Sequence, residues 1–126
     1  MTHLIALLTS GEGTWMHIAS LIKTKQFEKT VIVTNEYGLT NFPQKFPDLN
    51  TEDTRYDFVV VNFNKPVKFL IDDIVAQLKQ KTNCFEAAVN FVSGTGKEHM
   101  ALIASLIKLG IAFRLVAMTK DGLYEL

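Results

Sequence analysis

The chain is poor in the residues and patterns that mark several protein classes. It has one cysteine, and its 13 basic and 13 acidic side chains cancel to no net charge. Cys84 has no second cysteine in the chain to pair with. That removes an internal disulfide framework and points to a reducing, cytoplasmic compartment. A balanced charge removes any global pull toward nucleic acid or an anionic membrane, so duplex nucleic acid is not an expected partner. No apolar run approaches the ~20 residues of a membrane span. "LIALL" at 4–8 passes at once into polar "TSGEG", without the basic start of a signal peptide. No His or Cys cluster has metal-ligand spacing, so neither a metal nor a cofactor is expected.

What is present is a hydrophobic share of 48% over 126 residues, which excludes a disordered tail and suits one domain. A fold of that length buries about 65–70% of its extended-chain surface. "LIALL" reads as a buried parallel strand, followed by Trp15, Ile18, Ala19 and Ile22 on one helical face. Further strands are expected at 30–35, 57–63, 85–92 and 111–118, with "TKDG" at 119–122 turning the chain into a last, antiparallel strand. Val67, Leu70, Ile71, Ile74, Val75 and Leu78 form a second helical stripe after Pro66. A third helix is expected over 97–109, ended by Gly110. Two of the three prolines fall in the polar stretch 36–56, which reads as a long connection with one helical turn. The element order predicts a doubly wound, mostly parallel Rossmann-like α/β sheet of order 3-2-1-4-5, with a C-terminal antiparallel edge strand.

Two short segments recur. "TSGEG" at 9–13 is matched by "VSGTG" at 92–96, and "IASLIK" occurs at 18–23 and 103–108. In the predicted order, strands 1 and 4 are neighbours at the topological switch point. Both Ser-Gly-x-Gly loops therefore open into one crevice, each at a helix N-terminus that favours anions. Thr9, Ser10, Gly11, Gly13 and Thr14 line one side; Ser93, Gly94, Thr95, Gly96, Lys97 and His99 line the other. Gly-rich turns with a hydroxyl cap also occur merely to turn the chain, so the pairing of two such loops is the informative feature.

Neither loop is a standard nucleotide motif. A P-loop needs G-x-x-x-x-G-K-[ST], but Phe91 replaces its first glycine and Glu98 its final hydroxyl. A dinucleotide fingerprint needs a third small residue, where Met16 and His99 stand instead, although Glu36 lies near a ribose-binding position.

The stretch "VSGTGKEHMALIASLIKLGIAFRLV", with its strand, Gly-rich turn, Lys97 and early Met100, resembles the Asp-x-Thr-Gly-Gly-Thr-Lys-x-Met motif of CARF domains, the CRISPR-associated Rossmann folds. "LLTSGEGT" is similar to the hydroxyl-rich loop those domains place after strand 1. Asn90 stands near the usual aspartate, Ser-Gly-Thr-Gly replaces Thr-Gly-Gly-Thr, and the Lys97–Met100 spacing is one residue longer. The resemblance implies a homodimer whose four loops enclose a cyclic oligoadenylate, a messenger of antiviral defence. It implies either a binding protein, with an effector in trans, or a metal-independent ring nuclease. In the nuclease, Ser10 would orient the attacking ribose hydroxyl and Lys97 would stabilise the phosphorane. Binding is the leading reading. The rivals are a small Rossmann-like enzyme subunit using a mononucleotide or dinucleotide, and a dimerisation module without ligand.

Other residues admit two roles. His99 is placed to act as an acid or base, or to sit solvated in a first helical turn. His17 is expected on a helix surface, near enough to the first loop to stack on a base. Trp15 suits the core or a dimer interface, and Arg114 is expected to face a phosphate or a partner.

Overall fold

The computed structural model describes residues 2–50 and 54–126. Six strands of the described residues form one sheet: β1 (Thr2–Leu7), β2 (Phe27–Thr34), β3 (Tyr56–Val60), β4 (Glu86–Asn90), β5 (Ala112–Thr119) and β6 (Gly122–Glu125). Their order is β3-β2-β1-β4-β5-β6, with only the β5–β6 pair antiparallel. The doubly wound α/β fold expected from the sequence is the fold observed. Among the described residues, four α-helices cover the sheet: α1 (Trp15–Lys23), α2 (Glu36–Lys45), α3 (Val67–Lys81) and α4 (Gly96–Lys108).

Alternation along β1 separates two cores. Leu4, Ala6 and Leu8 face Trp15, Ile18 and Ile22 of α1 and Phe42 of α2. Ile5 and Leu7 face Leu70, Ile74 and Leu78 of α3 and Ala101, Leu102 and Leu106 of α4. Because both faces are covered, "LIALL" is apolar without a gap. Trp15 is wholly buried, which settles it as a core residue.

The stretch at 36–56 differs from expectation. Ten of its residues form α2, although residues 51–53 of that stretch lie outside the described residues. Asn35 caps the helix by accepting from the Gly38 N–H at 3.0 Å. Gly38 and Pro43 argue locally against a helix, Pro by ~3 kcal/mol in an interior. Burial of Phe42 against Trp15, Phe46 and Tyr56 outweighs them, with ring centroids 6.0, 5.0 and 5.7 Å away. The close of α4 follows expectation: Gly110 has φ +69°, and the Ile111 and Gly110 N–H groups bond back to Leu106 and Ile107 carbonyls. Arg114 lies on β5 among polar side chains of neighbouring strands. It binds Glu86, Glu125 and Thr2 of its own sheet.

Candidate functional site

β1 and β4 run side by side, with Ala6 opposite Asn90 at the last paired position. From there β1 leads to α1 on one face and β4 leads to α4 on the other, so the switch point lies between them. The two Ser-Gly-x-Gly loops do meet at this edge. The Thr9 N–H donates to Ser93 Oγ at 2.9 Å, and the two side-chain hydroxyls lie 2.8 Å apart. Ser93 is only 1% exposed, so this bond joins the loops from within. His99 lies in contact with the same loop, its Nε2 donating to the Ser93 carbonyl at 2.9 Å.

Gly94 marks the tightest approach among the glycines of the two loops. Its φ is +98°, and a Cβ there would come within 2.8 Å of Leu7 Cδ2 and 3.3 Å of Thr9 Cγ2. Gly11, Gly13 and Gly96 are different, because a Cβ at any of them would meet nothing within 4 Å.

On the β1 side, Ser10 is exposed and its Oγ accepts from Asn35 Nδ2 at 3.3 Å. A 3-10 turn, Glu12–Thr14, follows, with Thr14 Oγ1 donating to the Gly11 carbonyl at 3.2 Å. Trp15 Nε1 donates to the Thr9 carbonyl at 2.8 Å and ties the loop to the core. Glu12 accepts from the Tyr37 hydroxyl and lies 3.6 Å from Lys45. That hydrogen bond, aided by some desolvation and by the carboxylate's charge, raises the Tyr37 pKa above its ordinary value. α2 therefore braces the first loop.

On the β4 side, Glu98 folds back on its own helix start. The Thr95 N–H and hydroxyl donate to its carboxylate at 3.3 and 2.6 Å, a capping box. Lys97 donates to the Phe63 carbonyl at 2.8 Å, in the chain that follows β3. The structure thus brings Thr9, Ser93, Gly94 and His99 together, while Ser10 turns toward α2 and Lys97 toward the end of β3.

Sequence reasoning missed Asn35 and Tyr37. The signal for Asn35 was present, an Asn three residues before an N–H that it caps, but Gly38 and Pro43 made the segment read as loop. His17 also departs from expectation. It is half-buried, and its Nε2 accepts from the Met118 N–H at 3.1 Å and lies 3.3 Å from Asn90 Nδ2. Burial lowers its pKa. His17 and Asn90 floor a cavity of about 270 Å³ between the ends of β4 and β5, otherwise lined by apolar side chains including Phe91, Val92 and Leu115.

Among the described residues, no group of three His, Cys, Asp or Glu side chains is placed to hold a metal ion. None of their helices is long and apolar enough to cross a membrane. Compared with protein-family models and with curated proteins, the chain matches none.

Proposed function

We propose that the crevice between β1 and β4 binds a nucleotide-like anion. On the CARF resemblance, that anion is a cyclic oligoadenylate held by two copies of the chain in the cytoplasm. One observation carries this reading. Gly11, Gly13 and Gly96 lack a side chain where a Cβ would touch nothing, and none of the three has a left-handed φ. Neither packing nor backbone conformation requires glycine there. Glycine at those positions leaves backbone open to close approach by a second body, and a phosphate at helix starts fits that need. The two loop carboxylates are already engaged, Glu12 by Lys45 and Tyr37 and Glu98 by Thr95, which lowers the electrostatic cost of an anion nearby.

A second copy has a surface to meet. Leu115 of β5, Tyr124 of β6 and the following Leu126 are exposed apolar side chains. Met100 and Ile107 of α4 are also exposed, at 61% and 68%, and add apolar surface that a partner could cover. Binding is favoured over ring cleavage because Ser10 and Lys97 each hold an internal partner, Asn35 and the Phe63 carbonyl, rather than each other.

Thermal shift against cyclic tetra- and hexa-adenylate, AMP, ATP, NAD and FMN tests the proposal. A cyclic ligand at 100 times its Kd adds ~2.7 kcal/mol, a rise of about 10 °C for a domain of this size. Stabilisation by NAD or FMN alone would instead identify a cofactor-using enzyme subunit. No response to any ligand would leave a dimerisation module. Chromatography of the incubated cyclic ligand reports cleavage directly.

A further inference from the structure

β5 runs four residues past its last pairing with β4, Val89 opposite Leu115, and this overrun needs partners on its β4 side. Two side chains supply them. Asn90 Nδ2 donates to the Val116 carbonyl at 2.9 Å, and the Met118 N–H donates to His17 Nε2 at 3.1 Å. Together they stand in for the strand that β4 no longer provides. Asn90 also accepts the Val92 N–H at 3.1 Å through Oδ1. Its amide cannot flip, because Oδ1 would then face the Val116 carbonyl and Nδ2 the Val92 N–H. Val92 immediately precedes Ser93, the residue bonded to Thr9 across the crevice.

We propose that His17 is a positioning residue of the crevice, its neutral imidazole holding Asn90 and the 91–93 turn in place and its protonation releasing the Ser93–Thr9 contact. The proposal rests on the crevice being the binding site, and it adds pH regulation to that site. The chemistry follows from donors and acceptors. Nε2 receives the Met118 N–H and faces an Asn90 N–H, so the ring's proton must sit on Nδ1. In the imidazolium, Nε2 becomes a third donor aimed at two others, and the Met118 N–H loses its acceptor inside the fold.

The surroundings do not offset this. Burial is the cause of the lowered pKa, and no charged side chain contributes to it. On the elements packed around His17, Glu12 is held by Tyr37 and Lys45. Glu86 and Glu125 are held by Arg114. Lys23, Lys120 and Asp121 are the remaining charges of α1 and the hairpin turn, and all three are exposed. His99 is the competing titratable group, because its Nε2 must donate to the Ser93 carbonyl and so carries the opposite tautomer.

Long-range proton–nitrogen NMR on the full chain, without ligand, reads the tautomers directly. We expect Nδ1–H at His17 and Nε2–H at His99 at pH 7.5. Lowering the pH should move the Thr9, Val92, Ser93 and Met118 amide signals with one midpoint, equal to that of His17 itself. His17→Gln keeps an acceptor without a titrating group and should abolish that midpoint, whereas His99→Gln should leave it. An Nε2–H tautomer at His17, or loop amides that follow His99, overturns the proposal. The tautomer reading needs no variant, so a misfolded His17→Gln protein does not shield it. With cyclic tetra-adenylate as probe, affinity should fall at least fivefold across the same midpoint in the wild-type chain and not in His17→Gln. Loop amides that titrate as stated in a chain that binds no nucleotide would sink the ligand reading while leaving the switch intact.

Discussion

Thr34 and Gly38 show how much a single atom weighs in this molecule. A Cβ built on Gly38 would lie 1.9 Å from Thr34 Oγ1. That hydroxyl is fully buried and, among the described residues, has no hydrogen-bond partner. Glycine is thus required at 38 by the close approach of α2 to β2. Gly38→Ala should cost about 1–3 kcal/mol by overpacking. Adding Thr34→Ala should recover most of it, because the clashing hydroxyl goes too; urea denaturation of the four proteins of this cycle measures the coupling, and simple additivity would refute the contact. Lys97 poses the converse question. Its half-buried side chain is anchored by one hydrogen bond to Phe63, so Lys97→Ala should lower stability by about 1 kcal/mol or less. Should the ammonium turn to a bound phosphate, the same variant weakens a cyclic ligand about tenfold, or ~1.4 kcal/mol. Unchanged affinity in calorimetry would remove Lys97 from the site.

α2 is the element whose existence depends most on its neighbours. It carries Gly38 and Pro43 in ten residues, a composition that forms no helix by itself. Asn35 supplies its start and Phe42 its attachment to Trp15. Asn35→Ala should cost about 1 kcal/mol through the lost cap. It should also free Ser10, whose hydroxyl now accepts from the Asn35 amide. Hydrogen exchange should then quicken in both the first turn of α2 and the 9–14 loop; a change confined to α2 would show that the helix does not brace the loop. α4 is the opposite case. Its capping box at Thr95–Glu98, its alternately buried and exposed stripes and its closing Gly110 are all local, which is why its bounds lie within a residue of those expected.

At the scale of the whole molecule, the sheet is covered unevenly. Leu115, Tyr124 and Leu126 toward its β5–β6 end are exposed, as are Met100 and Ile107 of α4. A second copy on that surface is the proposed occupant, so Ile107→Glu should shift sedimentation toward monomer while the chain stays folded, since Ile107 is 68% exposed. A wild-type chain that sediments as monomer at high concentration would discard the dimer. The strand order was legible from the sequence alone. Continuous apolar runs require both faces covered, and right-handed crossovers leave few ways to arrange five parallel strands. The meeting of the two Ser-Gly-x-Gly loops followed from that order. Three things were not legible, for one shared reason. That 36–45 is helical, that Lys97 turns to Phe63, and that His17 and Asn90 complete β5 all depend on partners far away in the chain. Local sequence states what a segment can do, by period, cap and turn. Only the packed sheet decides which distant group lies near enough to hold each side chain.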